Sequence, residues 1–194
     1  MGRNKFAVVI LAAGNSSRLG SPKQLLMYQG KSLLRCAIDE SRGAGADQLV
    51  VVGGALDLAD FMEDDICLVK NEQWEEGMAS SIRCGVEAVQ ERSEMEYAII
   101  MVCDQPYADR EVLKGLVELQ QRSGKPIVAS EYGGRAGTPA LFHRSFFTML
   151  MQLKGDVGAR HLIADHKELV AFVGFPKGIT DIDTLRDYEA ISEK

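Results

Sequence analysis

A continuous apolar run near the start of the chain, residues 6–11, is followed at once by a stretch rich in glycine and serine, residues 12–22. A strand that is apolar at every position is typical of a parallel sheet buried on both faces. Such a sheet needs helices on both sides, which restricts the chain to α/β architectures. Because open α/β sheets bind ligands where their strands end, the stretch after this first strand is the first candidate for a binding site.

The rest of the chain repeats the alternation of short apolar runs and segments of helical period. Further strands are predicted at residues 48–52, 66–69, 98–103, 126–129, 138–142 and 169–173. This order predicts a mostly parallel sheet with helices on both faces. A length of 194 residues suits a single domain, 1–194, with no internal repeat.

Several helix ends can also be predicted. The residues suited to cap the first turn of a helix are Ser32, Ser80, Asp109 and Thr184. Asp187 follows Thr184 at the spacing of a capping box. Gly43 is suited to a left-handed C-terminal cap, and the helix that Asp109 begins is predicted to stop at Gly124. Residues 144–153 carry an apolar stripe that predicts one helix.

The bulk properties exclude several classes of protein. A formal net charge of −6 argues against broad nucleic-acid binding, since that mode relies on a basic face that displaces counterions. The longest apolar runs, such as 6–13 and 97–103, are far shorter than the roughly 20 residues that cross a bilayer. Residues 1–5 lead directly into the first strand without the apolar segment of a secretory signal, so we expect a cytoplasmic protein.

The cysteines and histidines form no recognisable ligand pattern. The four cysteines, which include no CxxC pair, are Cys36, Cys67, Cys84 and Cys103. Their apolar or helical surroundings are typical of reduced structural thiols. The three histidines, which lack HExxH spacing, are His143, His161 and His166. We therefore expect neither disulfides nor a zinc site.

Two cations, Arg18 and Lys23, lie in the loop after the first strand. Small residues let backbone amides approach a ligand, and together with the cations they suit a polyphosphate. The lysine lacks the flanking residues of a Walker A loop, and the GxGxxG of a dinucleotide fold is absent. Glycine content alone would equally fit an ordinary solvent loop, but the position after the first strand favours a ligand site.

Acidic residues also lie next to the ends of other predicted strands and helices. Asp104 comes directly after the predicted strand 98–103, where it could also be a simple turn or cap residue. Asp181 and Asp183 lie just before the last predicted helix. Hard oxygen ligands from two such junctions would place Mg²⁺ beside the phosphates, and either Asp181 or Asp183 could be the second ligand.

The residues of the opening loop, LAAGNSSRLGSPK at 11–23, resemble the LAAG-x-S-x-R-x-G-x-PK signature of nucleotidyltransferases that activate molybdenum cofactor, sugars and isoprenoid precursors. Five further segments are similar to the molybdenum cofactor cytidylyltransferase branch of these MobA-like enzymes: GMASSIRCG at 77–85, CDQP at 103–106, GTP at 137–139, GDVGAR at 155–160 and DIDT at 181–184. Together they span nearly the whole chain. The resemblance implies a three-layer α/β/α, Rossmann-like fold of the nucleotide-diphospho-sugar transferase type.

The resemblance also implies residue roles. Asp104 and Asp183 are implied to bind Mg²⁺, and Arg18 and Lys23 to hold the triphosphate, so that Arg18, Lys23 and Asp104 are the implied catalytic residues. The other residues implied to contact the nucleotide are Leu11, Ala12, Ala13, Gly14, Gly77 and Ser81.

Substrate choice depends on a few further positions. Ala13 stands where the guanylyltransferase branch usually has glycine, which favours CTP over GTP. Asp156 and Arg160 resemble the segment facing the acceptor, where Arg160 could fork onto a phosphate, although a plain helix start explains them nearly as well. Trp74 and Met78 could line an acceptor pocket, but a lone tryptophan more often packs partly buried, and we interpret Trp74 that way.

The implied reaction transfers CMP from CTP to the phosphate of molybdopterin, with release of pyrophosphate. One alternative is a guanylyltransferase or a sugar-phosphate nucleotidyltransferase. Another is a non-catalytic accessory protein that delivers the cofactor to a molybdenum hydroxylase as its partner. No nicotinamide or flavin motif supports a reductase.

Overall fold

The computed structural model describes residues 4–14, 19–61, 63–92 and 94–192. The strands in these ranges are β1 (Phe6–Ala12), β2 (Met27–Tyr28), β3 (Lys31–Ser32), β4 (Gln48–Gly53), β5 (Ile66–Lys70), β6 (Tyr97–Val102), β7 (Ile127–Tyr132), β8 (Arg135–His143) and β9 (Val170–Gly174). The α-helices are α1 (Leu33–Gly43), α2 (Met78–Gln90), α3 (Arg110–Ser123), α4 (Phe147–Leu150), α5 (Ala159–Asp165) and α6 (Leu185–Ser192). None of the helices in this part of the chain is long and apolar enough to cross a membrane.

Seven strands form the central sheet in the spatial order β5-β4-β1-β6-β8-β7-β9. The pairs β4–β5, β1–β4, β1–β6 and β7–β9 are parallel, and β8 is antiparallel to both of its neighbours. Strands β2 and β3 form a separate two-stranded hairpin, which the sequence pattern did not predict. The mostly parallel sheet of the predicted α/β fold is confirmed.

Strand β1 shows how the layers are built, because its side chains alternate between the two faces of the sheet. Phe6, Val8 and Ile10 pack in one apolar cluster with residues of α1 and α3. Ala7 and Val9 pack in a second cluster with residues of α2, α4 and α5. Every β1 side chain is buried, as expected for a strand covered by helices on both sides. The structure therefore has the predicted three layers, α/β/α.

Most of the predicted helix ends are confirmed, and one glycine is not. Ser32 caps α1, its side chain accepting a hydrogen bond from the backbone N–H of Arg35. Asp109 caps α3 in the same way, and Gly124 ends that helix with a left-handed backbone, φ 64°. The prediction for Gly43 is wrong, because α1 continues through it and the positive φ of 83° occurs at Gly45.

Two other helix predictions are wrong. Helix α2 begins at Met78, so Ser80 lies inside it and its hydroxyl donates back to the carbonyl of Gly77. Gly77 turns the chain into the helix with φ 117°, where a Cβ atom would lie 2.8 Å from the backbone of Asp156. The predicted helix 144–153 contains only α4 preceded by a 3₁₀ turn, Arg144–Phe146. Met151 N still bonds to Phe147 O four residues back, but Gln152 N and Leu153 N bond only three residues back, to Met149 O and Leu150 O, which ends the helix.

Helix α2 approaches β1 closely at Gly85, and this contact can be tested. A Cβ atom at Gly85 would overlap Cγ1 of Val9 and lie 3.1 Å from Cγ2 of Val52. We expect Gly85→Ala to destabilise the protein by about 1 to 3 kcal/mol, because the stiff valine side chains cannot move aside. Thermal or urea unfolding measures the change.

Gly115 in α3 provides the matched control. A Cβ atom there would meet only Cγ1 of Val173, at an ordinary 3.7 Å. Gly115→Ala should therefore stabilise the protein by roughly 0.4 to 1 kcal/mol, the usual gain for such a change in a helix. Equal effects of the two substitutions would contradict the close packing of α2 on β1.

Candidate active site

The carboxyl ends of three neighbouring parallel strands define one edge of the sheet. Strand β1 lies between β4 and β6, and the chain reaches β4 through α1 but reaches β6 later, on the other side of β1. This reversal of strand order is the switch point at which open α/β sheets bind ligands. The glycine-rich loop leaves β1 at this point, and Asp104 follows β6 two residues after Val102.

Lys23 joins two acidic residues at this edge. Its Nζ donates to Oδ2 of Asp104 and lies 3.3 Å from Oδ1 of Asp183. The side chains of Lys23 and Asp104 are only 16% and 14% exposed, whereas that of Asp183 is 55% exposed. Burial acts to lower the pKa of Lys23, but the Asp104 carboxylate and then that of Asp183 outweigh it and raise the pKa above its usual value. Lys23 is therefore a cation throughout the neutral pH range.

The acidic segment before α6 is anchored by the buried residue Ile182. The side chain of Ile182 is fully buried in a small cluster with Leu33 and Ile191. The N–H of Ile182 donates to the carbonyl of Asp104 at 3.1 Å, which ties this segment to the end of β6. Ile182 is thus buried while the aspartates on either side of it both line the central cavity.

The two flanking aspartates have different surroundings. Asp183 is the residue that reaches Lys23, and it directly precedes the predicted capping box, in which Thr184 and Asp187 exchange hydrogen bonds. Partial burial and the neighbouring Asp104 carboxylate raise the pKa of Asp181, against a hydrogen bond from Gln105. Both aspartates line the same cavity, so both stay candidates for the second acidic ligand.

Three adjoining cavities surround this cluster, and we name them by position. The central cavity, about 610 Å³, lies over Asp104 and extends towards α5. The strand-end cavity, about 190 Å³, shares Lys23 and Asp104 with the central cavity. The loop cavity, about 460 Å³, lies between the glycine-rich loop and residues 54–56, and shares Gln24 and Trp74 with the strand-end cavity. The ion cluster thus borders both the central and the strand-end cavity.

The residues implied to contact the nucleotide gather on one side of the cluster. Those lining the strand-end cavity are Leu11, Ala13, Gly14, Lys23, Gly77, Ser81 and Asp104. Ala12 lines the loop cavity instead. Arg18 lies outside the described residues, so its predicted contact with a triphosphate stays a prediction.

The residues implied to face the acceptor both line the central cavity. Arg160 lies in the first turn of α5, whereas Asp156 also lines the strand-end cavity and so stands between the two spaces. The loop that carries Asp156 is fixed to α2, since the N–H of Ala79 donates to the carbonyl of Gly155 at 3.1 Å. The helix start proposed as the alternative explanation is also present, because Gly158 precedes α5 at the N-cap position.

Some residues of the site were not predicted from the sequence, and one was predicted only to pack. Gln24 and Asn71 are buried, and Asn71 donates to the hydroxyls of Ser80 and Ser81 at 2.8 and 3.0 Å. Trp74, interpreted as packing, lines both the strand-end and the loop cavity. Asn71 directly follows the parallel strand β5, a position that could have marked it as a site residue.

Cys103, next to Asp104, is not equipped to act as a nucleophile. Burial, and then the Asp104 carboxylate, raise the pKa of its thiol to about 12. The thiol is therefore protonated at neutral pH, and the reactive thiolate form is negligible.

Comparison with known proteins identifies the family of the chain. Residues 8–169 match the model of the MobA-like NTP transferase domain. The chain belongs to this MobA-like family. It is a nucleotidyltransferase of that family, and the resemblance of its sequence motifs to MobA-like enzymes is confirmed.

Two curated relatives and one solved structure illustrate the family. The chain is 29% identical to a probable molybdenum cofactor guanylyltransferase of Natranaerobius thermophilus, over 77% of this chain and 73% of the relative. It is 28% identical to nicotine blue oxidoreductase of Paenarthrobacter nicotinovorans, over 91% of both. The crystal structure of Rv0371c from Mycobacterium tuberculosis H37Rv, 30% identical, superposes with a TM-score of 0.84 over 100% of both chains.

The anchoring role of Ile182 gives a testable prediction. Replacing this fully buried side chain with alanine should destabilise the protein by about 2 to 5 kcal/mol, because it leaves a cavity against Leu33. Ile179→Ala is the matched control: Ile179 is 61% exposed, so its loss should change stability by about 0.5 kcal/mol or less. Chemical denaturation of both variants measures the difference, and similar values would argue against Ile182 as an anchor.

Proposed function

We propose that the protein transfers CMP from CTP to the terminal phosphate of molybdopterin, with Mg²⁺ as cofactor and pyrophosphate as the second product. A phosphate oxygen of the acceptor attacks the α-phosphorus of CTP, a new P–O–P bond forms, and the bond to the pyrophosphate oxygen breaks. The attacking phosphate is already an anion. No general base is therefore needed.

The observation that carries this proposal is the position of Lys23, Asp104 and Asp183. One ammonium is shared by two carboxylates, and Lys23 and Asp104 line both the strand-end and the central cavity. A nucleotide on one side and an acceptor on the other would thus meet at this cluster. In-line transfer between two bound phosphates needs this kind of arrangement, with both reactants held on opposite sides of the transferred group.

The acidic residues present fit a divalent cation such as Mg²⁺. Mg²⁺ is commonly held by one or two carboxylates, with water and substrate phosphates completing its ligands, and Asp104 and Asp183 supply two. Within the described ranges no group of three His, Cys, Asp or Glu side chains could hold a metal, so water or a substrate phosphate would complete the ligands around the two carboxylates. Rv0371c, 27% identical in its manganese complex, supports a divalent cation on this scaffold. Held by Asp104 and Asp183, such a cation would neutralise negative charge on the phosphates of the nucleotide.

The residues of the chain itself bind and orient the phosphates. Lys23 is a cation at neutral pH, and its release from Asp104 to the phosphates would neutralise charge that develops on pyrophosphate. We assign Arg18 the same role from its place in the loop motif. Ala13, Gly14 and Gly77 leave space for the backbone to approach the nucleotide, and Ser81 lies at the wall of that space.

The choice of CTP rests on Ala13, and GTP is the competing nucleotide. Several relatives are named as probable molybdenum cofactor guanylyltransferases, at 25% to 29% identity. Their name supports GTP, whereas the alanine supports CTP. The acceptor side rests on Asp156 and Arg160 in the central cavity, where a guanidinium can make two hydrogen bonds to one phosphate. A molybdenum hydroxylase is the proposed protein partner that would receive the product.

The test begins with nucleotide binding. CTP with Mg²⁺ at about 100 times its dissociation constant should raise the unfolding free energy by roughly 2.7 kcal/mol, and ATP and UTP should do so less. Pyrophosphate release with molybdopterin then measures transfer. Indifference to every nucleotide would reject the proposal, and stronger stabilisation by GTP would reassign the base. Because one relative is named an oxidoreductase, pyrophosphate release is the decisive readout.

Asp104→Ala tests the catalytic cluster. We expect transfer to fall by at least about 100-fold, because the carboxylate that binds both Lys23 and the cation is lost. The unfolding curve without nucleotide should stay close to that of the wild type, since Asp104 follows the strand and lies outside the apolar core. A fully active variant would overturn its role.

Asp183→Asn and Asp181→Asn form a matched pair for the second metal ligand. Asp183 is the residue within reach of Lys23, so we expect its substitution to remove most of the Mg²⁺ dependence of CTP binding. Asp181→Asn should keep that dependence and retain transfer within about tenfold. Titration of Mg²⁺ at fixed CTP measures both variants. The opposite pattern would assign the ligand to Asp181.

A further inference from the structure

The walls of the loop cavity are formed mainly by small residues, which leave space between them for a ligand. Ala12, Ala13 and Gly14 form one wall, and Gly54 with Ala55 forms the other. Gly54 cannot carry a side chain, because a Cβ atom would lie 2.8 Å from the carbonyl oxygen of Ala13 and 3.1 Å from Cγ of Trp74. The backbone after β4 thus lies directly against both the loop and the tryptophan ring.

Trp74 stands where the loop cavity and the strand-end cavity adjoin. Its side chain is half-buried and lines both cavities. It is also the single tryptophan of the chain. A large ring at the border of two cavities offers an aromatic face to a ligand that extends from one to the other. Stacking on a tryptophan is a common way to hold a nucleobase, because every base has a π-face.

Gln24 lines the same two cavities. The side chain is 2% exposed, and its Nε2 donates to the carbonyls of Ala12 and Gly14 at 2.6 and 3.0 Å. Its Oε1 is buried and has no hydrogen-bond partner among the described residues. A buried acceptor without a partner is costly, so its retention at a cavity calls for a ligand donor.

The location of Gln24, and not the unpaired oxygen alone, is what points to a ligand. Gln48 also has a buried Oε1 without a partner in the described part of the chain. However, Gln48 begins β4 and therefore lies at the opposite end of the sheet from the site. Gln24 borders both cavities, next to Lys23.

We propose that Trp74 and Gln24 form the part of the site that reads the nucleobase. The ring of Trp74 stacks on the base, and Oε1 of Gln24 accepts a hydrogen bond from the exocyclic amino group of that base, which is cytosine under the proposed function. The inference rests on that function and deepens it. Gln24 then selects an amino-bearing base over its keto counterpart, while Trp74 contributes to every base alike.

The first experiment uses the single tryptophan as a reporter. Binding of CTP with Mg²⁺ to the full chain should quench or shift the fluorescence of Trp74, in parallel with thermal stabilisation. Trp74→Leu should weaken CTP and UTP binding by a similar factor, about tenfold, measured by calorimetry, and Trp74→Phe should restore part of the affinity. Nucleotide binding without any fluorescence change would overturn the role of Trp74.

The second experiment measures the ratio of CTP to UTP affinity. The two nucleotides share the same triphosphate, so any effect of Gln24 on the loop backbone cancels in the ratio. The wild type should prefer CTP by about tenfold, and Gln24→Met should reduce the ratio to near one. Gln48→Met, which removes the other unpaired oxygen, should leave the ratio unchanged. If GTP binds best, ITP, which lacks the 2-amino group, is the matched partner.

The outcomes separate this inference from the function on which it rests. If nucleotides bind but the wild type shows no preference, or Gln24→Met keeps it, the base-reading role is wrong and the transferase proposal stands. If no nucleotide changes either fluorescence or stability, both fail. Should Gln24→Met not fold, the preference of the wild type and the Trp74 variants still decide the result.

Discussion

Strand β1 is hydrogen-bonded to parallel neighbours on both sides, and this pairing places the loop that carries Lys23 and the residue Asp104 at one edge of the sheet. Leu11 lies opposite Val52 on β4 and Val102 on β6, so the three strands end together. The loop after β1 and Asp104 after β6 consequently begin at one edge of the sheet. A slip of one residue in this register would turn Asp104 to the opposite face, which the buried side chains of β6 prevent.

Bringing Asp104 and Asp183 together is electrostatically unfavourable unless a cation lies between them. Lys23 supplies that cation, and its raised pKa shows that the two carboxylates outweigh the effect of burial. The same oxygens are the proposed metal ligands, so a divalent cation competes with Lys23 for them. A triphosphate would offer the ammonium a new partner. Binding of the metal and of the nucleotide should therefore favour each other, a coupling that follows from one shared ion cluster.

The sequence predicted those parts of the site that depend on strand ends. Buried parallel strands are continuous apolar runs, so Lys23 and Asp104 could be placed at their carboxyl ends without a structure. Gln24 could not, because its role depends on reaching the carbonyls of Ala12 and Gly14 across a turn. The predicted cap at Ser80 failed for a similar reason, since Gly77 starts α2 earlier with a backbone that only glycine adopts easily.

Relatives that share this scaffold carry different names, a guanylyltransferase and an oxidoreductase among them. A common fold therefore cannot decide which base or acceptor is used, and the deciding side chains must lie beyond the sheet. In this chain they lie on segments that the sheet only supports: Gln24 after the loop of β1, Trp74 before α2 and Arg160 at the start of α5. The backbone of two of these segments is held by its own hydrogen bonds, from Leu26 N to Lys23 O and from Gly77 N to Trp74 O, so the segments can present different side chains at the same edge of the sheet.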